Sequence, residues 1–205
     1  CRRGRFRSAR ARRRRGAPAR QRRGQLIGGL LAVLPDKGYA HVTIADIVAA
    51  ASVSKRTFYE HFDDKEACFL AAYAVLSERT LDAVASVDAT RPWDEQVRAA
   101  VAAYVAMLEI SPAVARAFML EVYAAGPEAV RMQRQTHARF AKLLRDLVKR
   151  ARKGNPALEP LSKPMATAIV GGINELAIAA LESESSLQRI APTVVELVRR
   201  VLRGD

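Results

Sequence analysis

Apolar positions recur every three or four residues along most of this 205-residue chain, which is the spacing of amphipathic helices. Beyond residue 92 a proline lies at or near the start of each apolar-periodic segment, where a missing backbone N–H costs little. The pattern predicts helices over residues 93–109, 112–124, 127–153, 163–184 and 187–202. No alternation with a period of two persists over a useful length, so the sequence predicts no sheet.

Four more helices are predicted before residue 92. The first covers residues 22–37, and Thr43 is a good N-cap for the second. Residues 51–53 form a turn, after which Ser54 caps a third helix that carries apolar side chains for the core. A fourth, longer helix begins near residue 64 and runs to about residue 87.

This pattern predicts an all-α fold of about nine helices. It divides into an Arg-rich arm (residues 1–21), a helix-turn-helix domain (residues 22–70) and a helical bundle (residues 71–205). The arm has too few apolar residues to bury, and we expect it to be disordered when free. The most apolar stretch, residues 166–180, is interrupted by two glycines and two polar residues, so we expect no membrane-spanning helix.

The net charge of +13 is distributed very unevenly. Residues 1–23 contain 12 Arg and no acidic residue, which leaves 22 basic and 21 acidic residues in the remainder. Residues 24–70 have four basic and six acidic residues, a net charge of −2. If the folded part binds nucleic acid, it must therefore use a few well-placed groups, because its overall charge does not favour such binding.

The sequence offers little for catalysis. The two cysteines, Cys1 and Cys68, form no disulfide framework, which fits a reducing cytoplasm. His41, His61 and His137 lack the paired spacing of a metal site, and neither a phosphate-cradling glycine loop nor a nucleophile elbow occurs. We therefore expect no enzymatic activity, no metal and no cofactor.

Residues 53–66 read Val-Ser-Lys-Arg-Thr-Phe-Tyr-Glu-His-Phe-Asp-Asp-Lys-Glu, preceded by Gly38-Tyr39 and Thr43-Ile44. Over residues 24–70 the chain resembles the DNA-binding domain of TetR-type (AcrR-like) bacterial transcriptional regulators. One difference is Ser52, where that family commonly has glycine in the turn. The remainder resembles the family in length and number of helices.

The resemblance implies a set of DNA contacts. Thr43 and Lys65 would bind phosphates, Tyr59 and His61 would reach the backbone, and Lys55 and Arg56 are the candidates for reading guanine. Taken together, the implied DNA-binding residues are Thr43, Ser54, Lys55, Arg56, Thr57, Tyr59, His61 and Lys65. Taken without the motif, Tyr59 is equally well explained as half-buried packing, Lys65 as a surface residue and His61 as a structural residue.

The Arg-rich arm has two interpretations. It enters the minor groove beside the recognition helix, or it is a non-specific polyelectrolyte tail or a stretch upstream of the natural start. The second interpretation predicts that deleting residues 1–20 lowers affinity for all DNA sequences and flattens the salt dependence.

In the resembled family, the C-terminal domain binds a small molecule and forms a dimer. Two apolar helices, at about residues 163–184 and 187–202, would pair with their copies through Gly171, Gly172, Ile173, Leu176, Val194 and Val198. A ligand pocket would use Tyr104, Met107, Phe118, Met119, Tyr123, Met165 and Asn174. The alternative for all of these residues is a place in an ordinary monomer core.

The function that these observations favour is a sequence-specific transcriptional regulator in the bacterial cytoplasm, at the nucleoid. The resemblance implies a homodimeric, ligand-responsive repressor on a palindromic operator. Its partners would be double-stranded DNA, a second copy of the chain and a small-molecule effector, with no membrane. The alternative is an architectural protein that binds DNA non-specifically through the arm.

Overall fold

A computed structural model describes residues 5–203, with side chains for residues 19–202. Within this range the fold is all-α, as predicted, with no strand. The nine helices are α1 (Arg5–His41), α2 (Ile44–Ala50), α3 (Lys55–Tyr59), α4 (Lys65–Ala85), α5 (Trp93–Glu109), α6 (Pro112–Leu120), α7 (Pro127–Ala151), α8 (Lys163–Glu182) and α9 (Ala191–Arg203). They form two compact units, residues 1–72 and 73–205, whose boundary falls within α4.

Several helix boundaries differ from the sequence prediction. The backbone of α1 is helical from Arg5, not from about residue 22, and Arg and Ala, which dominate this segment, both favour helices. The disorder predicted for the arm stays a prediction, since residues 1–4 and the side chains of residues 5–18 lie outside the description. Two predicted helices are shorter, because Glu121–Tyr123 and Leu187–Ile190 form 3₁₀ turns.

The N-terminal unit is built around an apolar centre from all four of its helices. Leu26, Leu30, Ile47, Phe58 and Phe69 are completely buried. α1 packs on α2 at Gly29, where an added Cβ would lie 2.5 Å from the carbonyl oxygen of Ile47. This glycine therefore permits a close approach of two helix backbones, which explains a residue that otherwise weakens a helix.

The C-terminal unit has its own apolar centre, formed mainly by α5, α7, α8 and α9. An ion pair between Arg199 and Asp94 joins α9 to the start of α5, at 2.6 Å between Nη2 and Oδ2. By length and composition α8 is apolar enough to span a bilayer, contrary to the sequence expectation. However, its Ala166, Ile169 and Ala177 are buried in the centre of this unit.

Candidate DNA interface and effector cavity

α3 is positioned by its two ends and by one buried side chain. The Ser54 hydroxyl accepts a hydrogen bond from the backbone N–H of Thr57, at 3.1 Å between Oγ and N, and so caps the helix. Phe58 is fully buried and packs against Phe62. Because one side of this five-residue helix is anchored in the core, its remaining side chains face outward in a fixed orientation.

The turn before α3 contains a strained residue. Ser52 has φ 54°, in the left-handed region that non-glycine residues seldom adopt. The turn is closed by backbone hydrogen bonds, including one from the Val53 N–H to the Val48 carbonyl at 3.0 Å. The turn therefore has the predicted position, and serine adopts there the conformation for which glycine is better suited.

The side chains proposed to read bases are exposed on α3. The Arg56 side chain is 89% exposed, and its Nε donates to Oε1 of Glu60 at 3.3 Å. Lys55 is exposed and has no ion-pair partner in the described part of the chain, and the large aromatic Tyr59 is 58% exposed. His61 is half-buried. An exposed i,i+4 ion pair is worth only about 0.3–0.5 kcal/mol, so Arg56 can leave Glu60 at little cost.

Thr43 already uses its hydroxyl and its backbone N–H inside the domain. Its hydroxyl and its backbone N–H donate to Oδ2 of Asp46, at 2.8 and 2.9 Å, in a capping box. Lys37 binds the other oxygen of Asp46 at 2.6 Å. Hydrogen bonding from Lys37, and then from Thr43, lowers the pKa of Asp46 to about 2. A phosphate contact by Thr43 would have to replace this carboxylate.

Lys65 also has partners inside the domain. Its Nζ donates to the carbonyl oxygens of Tyr39 and Val42, at 2.8 and 2.9 Å, and lies 4.3 Å from the Tyr39 ring centroid. Burial lowers the pKa of Lys65, and burial raises the pKa of Tyr39 to about 12. Hydrogen bonds to a charged group contribute about 1.5–3 kcal/mol each. Two of the three Lys65 hydrogens therefore hold the end of α1, a contact that the sequence did not reveal.

The described end of the Arg-rich segment lies beside the helix-turn-helix. The guanidinium carbon of Arg23 is 4.9 Å from the Phe62 ring centroid, a cation–π contact. Between residues 24 and 70, Lys37, Arg56 and Lys65 are engaged within the domain. Arg23 therefore adds a positive charge beside the helix-turn-helix.

A cavity of about 270 Å³ lies within the C-terminal unit. Its walls are mainly apolar and come from α4 to α9. Of the seven residues predicted to bind a ligand, five line this cavity, namely Tyr104, Met107, Phe118, Met119 and Asn174. The other two, Tyr123 and Met165, do not line it and are exposed. The helical pattern identified large adaptable side chains but not the direction in which each one points.

Several polar groups line the cavity, most of them with hydrogen-bond partners. Burial raises the pKa of Tyr73 to about 12, although Thr136 and Ser77 hydrogen-bond to its hydroxyl. Burial lowers the pKa of His137, while a hydrogen bond with Asn174 opposes this effect. The buried Nε1 of Trp93 has no acceptor in the described chain. No acidic residue lines the cavity, so its walls suit an apolar molecule with a few hydrogen-bonding groups.

The residues predicted to form a dimer interface are divided between core and surface. Val194 and Val198 are only 1% and 4% exposed and are already covered by the unit's own core. Ile173 and Leu176 are half-buried against that core. Gly171 is exposed and Gly172 half-buried on α8. Amphipathicity alone does not separate an intrachain face from an interchain one.

Residues 26–72 match the model of the family described as bacterial regulatory proteins, tetR family. This segment contains the helix-turn-helix described above. Over these residues the chain is similar to the DNA-binding domain of the TetR family. The matched family consists of bacterial regulatory proteins, which supports a DNA-binding regulator. Burial raises the pKa of the Cys68 thiol to about 12, so the thiol stays protonated at neutral pH.

Solved structures of TetR-type regulators have the same fold along most of the chain. The fatty acid degradation regulator FadR from Bacillus halodurans is 19% identical, with a TM-score of 0.74 over 86% of this chain and 94% of that one. FadR from Bacillus subtilis, solved with stearoyl-CoA, is 17% identical, with a TM-score of 0.69 over 85% and 96%. A tetR-family regulatory protein from Rhodococcus is 22% identical, with a TM-score of 0.67 over 88% and 96%. No curated protein sequence matches this chain significantly.

Proposed function

We propose that this protein is a homodimeric repressor that binds a palindromic operator and is released by a predominantly apolar effector. The observation that supports operator recognition most directly is the exposed face of α3, which presents Lys55 and Arg56 above the buried Phe58. Two such helices, one from each subunit, would lie in successive major grooves. Repressors of this kind act at the nucleoid, in the cytoplasm.

We assign different roles to the candidate DNA-binding residues. Arg56 exchanges a weak, exposed ion pair with Glu60 for base edges, and Lys55 and Tyr59 reach the groove walls and backbone. Ser54, Thr57 and His61 lie close to this face, whereas Thr43 and Lys65 primarily hold the domain together. Because residues 24–70 carry a net charge of −2, affinity depends strongly on the arginines before residue 24 and on counterion release.

Operator recognition can be tested by selecting genomic DNA fragments that bind the full chain and footprinting the protein on the recovered fragments. A palindromic footprint should persist in excess random DNA at physiological salt. Arg56→Ala should cost about 1–3 kcal/mol and relax the preference at one base position. Deleting residues 1–20 should lower affinity for all sequences and flatten the salt slope. An architectural protein would lose the footprint in random DNA, and that result would refute operator recognition.

Glu60 provides a matched test of how available Arg56 is. Glu60→Gln removes the ion-pair partner and one negative charge near the DNA, so affinity should rise. Glu66→Gln removes the same charge from the first turn of α4 without touching Arg56. Equal gains in the two variants would show a general charge effect and would contradict the direct role of Arg56.

The exposed apolar side of α8 supports the dimer. Only 28% of its most apolar 18-residue window is buried within the chain, so much of this helix needs another cover. A second copy of α8 and α9 supplies one through close packing at the small residues Ala168, Gly171 and Ala179. Gly171→Arg should therefore give a monomer in sedimentation experiments, whereas Gly154→Arg, in an open loop, should not. A Gly171→Arg dimer, or a wild-type chain that floats with lipid vesicles, would argue against this pairing.

The cavity supports an effector that is mostly apolar. An acyl thioester is a reasonable first compound, because the FadR structure from Bacillus subtilis contains stearoyl-CoA. α4 contributes Tyr73, Ser77 and Thr80 to the cavity wall and also carries Lys65, which holds α1. We infer that effector binding shifts α4 and thereby weakens operator binding. Titration of acyl-CoAs of increasing chain length into the protein–operator complex should release DNA, and release unaffected by Tyr104→Ala would exclude this cavity.

A further inference from the structure

A second cleft, of about 620 Å³, lies on α7 within the C-terminal unit. Its walls come from α7, from the segment before α8 and from the first residues of α8. The α7 residues that line this cleft alternate along the helix with the α7 residues that line the apolar cavity. The cleft and the cavity therefore lie on different faces of α7. The family assignment and the effector cavity leave this cleft unexplained.

The cleft is strongly basic. Its charged lining residues are Lys142, Arg145, Asp146, Lys149, Arg152 and Lys163. Lys142 and Asp146 neutralise each other through an ion pair of 2.6 Å. Four positive charges therefore remain around one concave space, and like charges at short range are unfavourable unless an anion lies between them.

Two of these cations are held in place by the backbone. Arg145 donates its Nε to the Leu161 carbonyl at 3.3 Å, and Arg152 donates its Nε to the Leu158 carbonyl at 2.7 Å. Each contact uses Nε and leaves the two Nη groups to bind another acceptor. A guanidinium with a fixed orientation suits the paired oxygens of a phosphoryl group.

The remaining walls define the size and character of an occupant. Lys149 and Lys163 are exposed, and Lys163 is the first residue of the 20-residue helix α8, whose positive dipole end faces anions favourably. Apolar groups from Ala138, Val148 and Leu161 complete the lining. The volume lies within the range of small-molecule sites, so a compact ligand fits better than a duplex, which contacts exposed surfaces.

From this arrangement we infer that the cleft binds a small molecule with at least two adjacent phosphoryl groups, such as a nucleoside diphosphate. The four cations can neutralise a diphosphate group. The apolar wall accommodates the rest of the molecule, to which the diphosphate is attached. This site is separate from the proposed effector cavity and does not depend on it.

Inorganic pyrophosphate is the probe for the full-length chain, and hydrogen exchange of residues 158–167 is the readout. Exchange is chosen because the Arg-rich arm also attracts anions and would dominate a total binding signal. Pyrophosphate should protect these amides from exchange. In the double variant Lys149→Gln with Lys163→Gln, the same protection should need a pyrophosphate concentration at least about tenfold higher. Arg98→Gln with Arg134→Gln removes the same charge from exposed positions outside the cleft and should leave the protection unchanged.

Each of the following results would overturn the inference. These are absence of protection in the wild-type chain, protection that survives in the cleft variant, protection lost equally in the control variant, and protection by inorganic phosphate at the same concentration as pyrophosphate. Duplex DNA that protects the same amides as strongly as pyrophosphate would likewise replace the small molecule with nucleic acid. The operator footprint and the acyl-CoA titration are independent of all these outcomes.

Discussion

Replacing Gly29 with alanine introduces a methyl group at the contact between α1 and α2. The added Cβ would lie 2.5 Å from the Ile47 carbonyl oxygen, 2.9 Å from the Ala51 Cβ and 3.0 Å from the Ala51 nitrogen. None of these atoms belongs to a flexible side-chain end, so the two helices must move apart. Gly28, one residue earlier, is the matched control, because its Cβ would meet no atom within 4 Å.

The two substitutions share one favourable term and differ in one unfavourable term. Alanine stabilises a helix interior by about 1 kcal/mol relative to glycine at either site. Overpacking costs about 1–3 kcal/mol, and rigid backbone neighbours place Gly29 at the upper end of this range. We therefore expect Gly28→Ala to raise the free energy of unfolding by about 1 kcal/mol and Gly29→Ala to lower it by about 2 kcal/mol.

Urea unfolding of the full chain measures this difference of about 3 kcal/mol. Because the two units can unfold separately, hydrogen exchange in α1 and α2 identifies the transition of the N-terminal unit. Gly29→Ala should also weaken operator binding, since α3 follows α2 directly and moves with it. Equal stabilisation by both alanines would refute the close-packing role of Gly29.

Three further predictions concern individual groups. Ser52→Gly should stabilise the N-terminal unit by about 1 kcal/mol in urea unfolding, because glycine adopts φ 54° without strain, whereas Ala51→Gly, at a right-handed position, should destabilise it. Asp46→Asn should be less stable than wild type at neutral pH, because the hydrogen bonds that lower the carboxyl pKa stabilise the fold only while Asp46 is ionised. The difference in stability should vanish as the pH falls from about 4 to about 2, and a difference that stays constant would exclude the carboxylate as its source. Burial lowers the pKa of His137 in the folded chain, so its neutral form stabilises the fold above about pH 6.5, and this stabilisation is lost as the pH falls below that value. The free energy of unfolding of His137→Gln should therefore depend less on pH between about 7 and 5 than that of the wild type. An unchanged pH dependence would contradict this.

The sequence alone determined the elements whose signals are local. Capping residues such as Thr43 and Ser54, the 3.6-residue periodicity and the proline positions act within one or two turns, and they placed most helices correctly. The helix-turn-helix was also clear, because its turn, caps and core anchors are close together in the chain. Even the exception at Ser52 was visible as a departure from glycine.

The tertiary structure decided which neighbour each side chain meets. Gly29 is needed because the backbone of α2 lies too close for a larger residue. Lys65 donates to carbonyls 26 and 23 residues away, so no local pattern reveals either contact. The same limit explains α8 and α9, where Val194 and Val198 face the chain's own core while Gly171 does not. Hydrophobicity requires burial but does not specify the partner, and only packing determines whether the partner is the same chain, a second copy or a ligand.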